Sequence, residues 1–229
     1  GYWKDYLPPE SAPDPAWVDA HGLKVNRSPA PFPDVVIAVL ISFEARTAFD
    51  SFFPMELPIT ALEKRNLLTN NVGASCLLFP EDRRYPIRMP EALPLRWLQA
   101  PQNHFAGEAL RNEYYTFQIG VYAAAGVLQN VSVSFSDLTN ADAILPSTVL
   151  TCFNTGGIDC YGKPFSKRVD IPIDTVQALW IGVDIPEEAR PGVYSGTVAI
   201  AADGLTPMPV AIELKITEDM LKDRGDSEL

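Results

Sequence analysis

The sequence is poor in residues that bind metals and nucleic acids. It has two histidines and three cysteines in 229 residues. Neither His21 nor His104 has a second histidine or a cysteine at ligand spacing, so we expect no metal site and no cofactor. Eighteen basic residues face 29 acidic ones, the formal net charge is −11, and no basic cluster exceeds a pair. Because phosphates are bound by clustered lysines and arginines, we expect no nucleic-acid partner.

Long hydrophobic runs are also missing. The longest, residues 35–43, is far too short to span a bilayer, so we expect no membrane insertion. It is rich in β-branched residues, which favours a strand covered on both faces, with a buried helix as the alternative. No signal peptide is recognisable at the first residues.

Familiar catalytic motifs are absent as well. No nucleophile elbow, P-loop or dinucleotide-binding glycine pattern occurs, and we assign no catalytic residue. Glycosidases use paired carboxylates, but spacing selects no pair here, and solvated turn residues are the plainer interpretation. The carboxylates near predicted strand ends and turns are Glu56, Asp82, Glu108, Glu113, Asp159 and Asp184.

The sequence does contain the alternation of apolar and polar residues that is typical of β-strands. Three alternating segments within residues 178–217, the first ended by Pro186, predict a meander packed on one face. Residues 115–123 and 131–135 alternate in the same way, and shorter strands are predicted at 75–79, 93–98, 148–153 and 168–173. At least seven strands between 104 and 217 indicate a β-sandwich.

One α-helix is predicted near residues 60–70, because Thr60 and Glu63 form a capping box. The predicted fold class is therefore mainly β, an antiparallel β-sandwich with this one short helix. Residues 1–33 read as a proline-rich arm, and 34–218 as the sandwich module. Within the module, a strand–helix–strand portion (34–103) packs on an antiparallel sandwich (104–217). Residues 219–229 read as a polar tail leading to an absent catalytic domain.

Two cysteines flank a turn-rich loop. Between Cys152 and Cys160 lie Asn154 and two glycines, which suit a tight hairpin. Residues that face each other in a hairpin come within disulfide reach, so a Cys152–Cys160 disulfide is one interpretation and two reduced thiols are the other. Cys76 is predicted to be a buried core thiol.

Apolar residues in turn-rich sequence form a candidate contact surface for another domain or a glycan. Their alternative fate is burial within their own hairpin. Trp180 belongs to the same candidates, because it lies on the strand face opposite Leu179 and Ile181 and could stack on a sugar or pack in the sandwich. The other four candidates are Phe153, Ile158, Tyr161 and Phe165.

Several segments resemble the N-terminal region of glycoside hydrolase family 123-like proteins, many of which are multidomain proteins described only as domains of unknown function. The resemblance covers roughly residues 34–217. The segments that carry it are 46–50, 79–84, 113–121 (EYYTFQIGV), 152–157 (CFNTGG), 162–165 (GKPF), 178–186 (ALWIGVDIP) and 191–196 (PGVYSG).

The resemblance implies a β-sandwich that precedes a (β/α)₈ barrel. In that family the barrel hydrolyses N-acetylgalactosaminides by a substrate-assisted mechanism that uses an Asp directly followed by a Glu. This sequence has no Asp-Glu dipeptide, and a barrel needs about 250 residues. We therefore expect a non-catalytic module that supports a missing barrel of the same polypeptide. The parent protein is expected to be exported, to the periplasm or cell surface. The alternative function is a carbohydrate-binding module that uses exposed aromatics.

Overall fold

The computed structural model describes residues 57–99 and 103–222, all within one compact unit of the chain. The predicted arm (1–33), the apolar run (35–43) and residues 223–229 of the predicted tail lie outside the described residues. Within the described ranges, no helix has the length and apolar character needed to cross a membrane.

The described part is built mainly of β-strands, which form two sheets and one separate hairpin. In chain order they are β1 (Cys76–Asp82), β2 (His104–Arg111), β3 (Tyr114–Ala123), β4 (Ser132–Phe135), β5 (Leu138–Asn140), β6 (Ala143–Leu145), β7 (Leu150–Cys152), β8 (Gly156–Ile158), β9 (Pro164–Ser166), β10 (Val176–Asp184), β11 (Gly192–Ala201) and β12 (Met208–Met220). Sheet 1 has the order β1-β3-β10-β7. Sheet 2 has the order β2-β12-β11-β5-β6, with β4 also paired to β11, and β8 pairs with β9 alone.

The two sheets share one apolar core, which confirms the predicted sandwich. Ile119 and Ile181 of sheet 1 and Val198 and Leu214 of sheet 2 belong to this core and are almost fully buried. Among the described strands, all pairs are antiparallel except β12–β2, which is parallel. The alternation predicted for residues 115–123 is confirmed, because every second residue of β3 from Tyr115 onward belongs to this core.

A second apolar layer covers the outer face of sheet 1. The predicted helix, α1 (Ala61–Asn70), has the full capping box between Thr60 and Glu63 and contributes Leu67 to this layer. Trp97, in a short 3₁₀ helix (Leu95–Gln99), stacks on Phe79 of β1 with ring centroids 4.2 Å apart. Sheet 1 is therefore covered on both faces.

Three sequence-based strand assignments are corrected by the structure. The strand predicted at 93–98 is the 3₁₀ helix, in which the Trp97 amide donates to the carbonyl of Pro94. The segment 168–173 forms only one bridge, Leu128–Ile171, because Pro172 has no N–H to continue a ladder. The strand predicted at 148–153 is shortened to β7, since a 3₁₀ turn (Ser147–Val149) precedes it.

The predicted three-strand meander is also wrong. β10 lies in sheet 1, whereas β11 and β12 lie in sheet 2. After β10 the chain turns at Pro186, whose carbonyl accepts the Ala189 amide. This turn carries the chain from one layer of the sandwich to the other, so the segment makes a sheet-to-sheet connection instead of a hairpin.

Candidate functional site

An open cleft beside β7, the edge strand of sheet 1, collects three of the five contact residues predicted from the sequence. We call it the aromatic cleft, and its volume is about 500 Å³. The β8–β9 hairpin supplies one wall, with Gly157 opposite Phe165 and Ile158 opposite Pro164. The lining residues are Tyr114, Thr151, Phe153, Gly156, Gly157, Ile158 and Phe165.

The predicted exposure of four apolar side chains is confirmed. Phe153 is 45% exposed, Ile158 66%, Tyr161 84% and Phe165 46%. The structure brings Phe153, Ile158 and Phe165 together in the aromatic cleft, but Tyr161 does not line it. The alternative, burial of all four within their own hairpin, is wrong.

Trp180 is outside the aromatic cleft. Its side chain is only partly exposed, and its main-chain amide donates to the side-chain oxygen of Asn154 at 2.7 Å. The Phe153 amide donates in turn to the Trp180 carbonyl at 3.0 Å. These bonds fix the start of the loop that carries Phe153. Trp180, which we predicted as a contact residue, therefore positions Phe153 through its backbone.

Tyr114 also lines the aromatic cleft. Its ring and that of Phe153 are 6.0 Å apart between centroids. Gly182 makes room for both: a Cβ atom there would lie 2.5 Å from Tyr114 Cε1 and 2.8 Å from Phe153 Cζ. Glycine in an otherwise regular strand marks such a close approach. The signal available in the sequence was therefore Gly182 within the apolar run of β10.

The tip of the β8–β9 hairpin is held in shape by one carboxylate. Asp159 Oδ1 accepts hydrogen bonds from the amides of Tyr161 (2.9 Å) and Lys163 (2.8 Å). The Asp159 amide donates to the Lys163 carbonyl at 2.8 Å, and Gly162 takes the positive φ of 76° that the turn needs. The tip thus presents Tyr161 to solvent from an ordered turn.

The predicted Cys152–Cys160 disulfide is not formed, and the two residues do not face each other across a hairpin. Cys152 is buried and pairs with Ile181 in sheet 1, while Cys160 is exposed beyond β8. The hairpin involves 156–158 and 164–166 instead. Because the cysteines are free thiols, no disulfide supports an exported parent protein. Export therefore stays a prediction. Cys76 is buried as predicted, and burial raises its pKa to about 11.

The end of the described chain is bound to the turn that leads into Tyr114. The Leu221 amide donates to the carbonyl of Arg111 at 2.9 Å, and Asn112 Nδ2 donates to the Leu221 carbonyl at 3.0 Å. Tyr114 follows two residues after Asn112 at the start of β3. The last described residues and the aromatic ring that lines the cleft are therefore attached to the same β2–β3 turn.

A second, more polar cleft of about 710 Å³ lies where the turn after β1 meets β2 and β12. It is lined by Asp82, Arg83, Arg84, Ala106, Gly107, Glu108, Tyr115 and Lys215.

The carboxylates at this polar cleft are paired with cations. Arg84 Nε lies 2.7 Å from Asp82 Oδ1 and Lys215 Nζ lies 2.7 Å from Glu108 Oε2. Burial alone raises the pKa of Asp82, but hydrogen bonds from Arg84 and from the phenol of Tyr115 outweigh it and lower that pKa. Burial also raises the pKa of Tyr115. These groups are arranged as structural ion pairs.

The remaining predicted polar candidates have local partners or lie elsewhere. Glu113 pairs with Arg83 and accepts the Leu110 amide at 2.8 Å. Asp184 is exposed. His104 Nε2 lies 3.5 Å from Glu213 Oε2. Glu56 and His21 lie outside the described residues. In the described part of the chain, no three His, Cys, Asp or Glu side chains are grouped to hold a metal ion.

Comparison with protein families confirms the resemblance seen in the sequence. Residues 157–202 match the model of the glycoside hydrolase 123 N-terminal domain. This segment runs from the β8–β9 hairpin through β10 and β11 and includes Gly157, Ile158 and Phe165 of the aromatic cleft. A comparison with curated proteins gives no significant match.

Solved structures with a similar chain path include a family 123 glycoside hydrolase from Clostridium perfringens, described for glycolipid glycan hydrolysis (TM-score 0.48, 18% identity). The match covers 66% of this chain and 28% of that chain, so this chain spans less than a third of its length. A PapD-like domain of human CEP192 matches at TM-score 0.31 and 11% identity, over 53% of this chain and 84% of that one. A Bacteroides ovatus family 5 xyloglucanase matches at TM-score 0.28 and 9% identity, over 53% of this chain and 19% of that one.

Proposed function

We propose that this chain is the non-catalytic N-terminal module of a larger glycoside hydrolase-like protein, and that its aromatic cleft packs against the catalytic barrel of the same polypeptide. The observation that carries the proposal is the exposure of Tyr114, Phe153, Ile158 and Phe165 around one cleft. Clustered exposed apolar side chains on a folded module indicate a contact surface. The parent enzyme would act on N-acetylgalactosaminides.

Packing against the same polypeptide is supported by where the chain leaves the module. Leu221 is hydrogen-bonded to the β2–β3 turn, and that turn leads directly into Tyr114. A domain that follows this point begins at the turn that leads into Tyr114. Contacts between domains of one chain bury about 600–1,500 Å², and aromatic residues are enriched in such protein contacts. The barrel is therefore the occupant that best fits this surface.

The non-catalytic role is supported by the state of the carboxylates. The sequence lacks the Asp-Glu dipeptide of the family mechanism, and Asp82, Glu108 and Glu113 are each paired with a cation. In this proposal, the purified chain shows no turnover of an aryl N-acetylhexosaminide. Turnover that is abolished by replacing one of its own carboxylates would overturn the non-catalytic role.

The alternative, a carbohydrate-binding module, is favoured by one observation: the aromatic cleft has the size of a small-ligand site. The broad outer face of sheet 2 offers less support. Among the described residues of β2, β11 and β12, the exposed positions include Ala106, Val193 and Ala211, with no Phe, Tyr or Trp. A glycan array probed with this chain distinguishes carbohydrate binding from docking to the barrel. Glycan binding that depends on Phe153 and Phe165 would support a carbohydrate-binding module and contradict docking of the barrel at the cleft.

The docking proposal is tested with a matched pair of exposed isoleucines. Ile158 in the aromatic cleft is 66% exposed and Ile144 in sheet 2 is 64% exposed. We expect Ile158→Ser to lower the free energy of unfolding of the parent protein by more than about 1 kcal/mol, because residues buried in a domain contact commonly contribute that much. In the 229-residue chain alone, both variants should stay within about 0.5 kcal/mol of the wild type. Equal effects of Ile158→Ser and Ile144→Ser in the parent protein would contradict docking at the cleft.

A further inference from the structure

The end of β2 and the turn after it bind the end of β12 and the residue that follows it with several hydrogen bonds. Arg111 uses its side chain, with Nε and Nη2 at 3.2 and 3.0 Å from the Glu218 carbonyl. Its own carbonyl accepts the Leu221 amide, and Asn112 Nδ2 donates to the Leu221 carbonyl. We call Arg111 and Asn112 the exit clamp. It holds both ends of the 218–221 segment after the regular register of β12 with β2 has shifted between Ile216 and Met220.

The exit clamp is itself anchored in the body of the sandwich. Asn112 has a left-handed φ of 58°, a conformation that asparagine tolerates better than most residues. The Ile185 amide donates to the Glu113 carbonyl at 3.1 Å. Glu113 is also buried, accepts the Leu110 amide and pairs with Arg83. The turn therefore joins β2, β3 and the end of β10, and a rigid turn is what a clamp requires.

We propose that the exit clamp fixes the direction in which the chain leaves the module and so orients the following domain onto the aromatic cleft. The orienting role rests on the proposed function, because it needs a domain that follows. The binding of residues 218–222 by the exit clamp does not depend on the proposed function, and it can be measured in the 229-residue chain. A flexible linker would let the following domain sample many orientations, whereas a fixed exit at the β2–β3 turn reduces the conformational entropy lost when the cleft is covered.

The test measures the distance between Cys160 at the hairpin tip and a Lys222→Cys label by pulsed electron spin resonance. Cys160 is the exposed thiol among the three cysteines. The comparison variant combines Arg111→Met, which keeps the apolar stem, with Asn112→Gly, which accepts the positive φ without strain. We expect a narrow distribution in the wild type and one at least about twice as broad in the variant. The control, Arg168→Met, removes an Arg that pairs with Asp170 and should leave the width unchanged.

Hydrogen exchange on the same proteins gives a second readout that does not need labels. Amides of residues 218–222 should exchange at least about tenfold faster in the double variant, with exchange in β3 and β10 unchanged as evidence of an intact fold. Equal label widths and equal exchange in wild type and variant would overturn the exit clamp. If the double variant loosens residues 218–222 but Ile158→Ser leaves the parent protein unaffected, the exit clamp is supported and docking at the aromatic cleft is contradicted.

Discussion

At the scale of single residues, buried polar side chains hold the loops of the outer layer. The carboxylate of Glu81 accepts hydrogen bonds from Arg96 Nε at 2.8 Å and from the Trp97 indole. Gln118 is fully buried in β3, and its side-chain oxygen accepts the Ile87 amide at 2.8 Å. Buried polar groups are nearly always hydrogen-bonded, because leaving one unpaired costs about 1–3 kcal/mol. These side chains therefore tie the loop between β1 and the 3₁₀ helix to sheet 1.

Replacement of Gly120 by alanine should destabilise the protein. A Cβ at Gly120 would lie 2.8 Å from Trp97 Cη2 and 3.0 Å from Ile87 Cδ1. The indole cannot retreat easily, because its N–H is bonded to Glu81. We expect Gly120→Ala to cost about 1–3 kcal/mol, the usual range for overpacking, as measured by urea unfolding. Gly126→Ala is the matched control, since nothing lies within 4 Å of its Cβ position, and equal losses in both variants would contradict this account.

At the scale of elements, α1 depends on its cap and on the apolar layer beneath it. Its ten residues are too few for a stable isolated helix in water. The Glu63 amide donates to Thr60 Oγ1 at 3.3 Å, and Glu63 Oε2 accepts the Thr60 amide at 2.8 Å. These bonds satisfy donors that every helix start leaves open. The cap therefore determines where α1 begins, and Leu67 anchors it on sheet 1.

Removal of the cap hydroxyl should weaken α1 measurably. We expect Thr60→Ala to lower the free energy of unfolding by about 0.5–2 kcal/mol. Thr69→Ala is the control, because Thr69 lies inside the same helix and donates only to the Arg65 carbonyl. Alanine has the higher helix propensity there, so this change should be neutral or slightly stabilising. Urea unfolding followed by circular dichroism measures both variants, and a loss at Thr69 as large as that at Thr60 would contradict a specific role of the cap.

At the scale of the whole molecule, charged contacts link the outer layer to the sandwich. Lys64 of α1 pairs with Asp174, which also accepts the Tyr122 phenol at 2.6 Å. The hydrogen bond from Lys64, followed by the one from Tyr122, lowers the pKa of Asp174. A carboxylate with a lowered pKa in the folded state stabilises the fold above its unfolded pKa of about 3.9. That contribution is lost as the pH falls through the lower, folded-state pKa.

The acid dependence of stability should therefore change when Asp174 is neutralised. Asp174→Asn keeps a residue that tolerates the positive φ of 66° at this position. We expect the wild type to be more stable at pH 7, by no more than about 1 kcal/mol because the Asp174 side chain is largely exposed. The difference should begin to shrink as the pH falls below about 4 and should vanish once the pH is below the folded-state pKa. Unfolding midpoints in urea across this pH range measure it, and a difference that does not depend on pH would show that Asp174 acts through packing and not through its charge.

Much of the fold could be predicted from local patterns. The alternation in β3 and β11, the capping box at Thr60 and the burial of Cys76 are each a property of a few neighbouring residues, and all are confirmed. The exposure of Phe153, Ile158, Tyr161 and Phe165 followed from apolar residues in turn-rich sequence. Resemblance to the glycoside hydrolase 123 N-terminal domain was visible in the same segments and is confirmed over residues 157–202.

The sequence by itself determined the alternation of β3 and β11 and the start of α1, because alternation and capping act over a few residues. Only the tertiary structure decided that β10 and β11 lie in different sheets, that Cys152 faces Ile181 and not Cys160, and that residues 95–99 coil into a 3₁₀ helix over β1. It also brought Tyr114 to Phe153 across Gly182, and Leu221 to Asn112. Partners far apart in the chain leave no periodic signal, and the packing of the two sheets selects them.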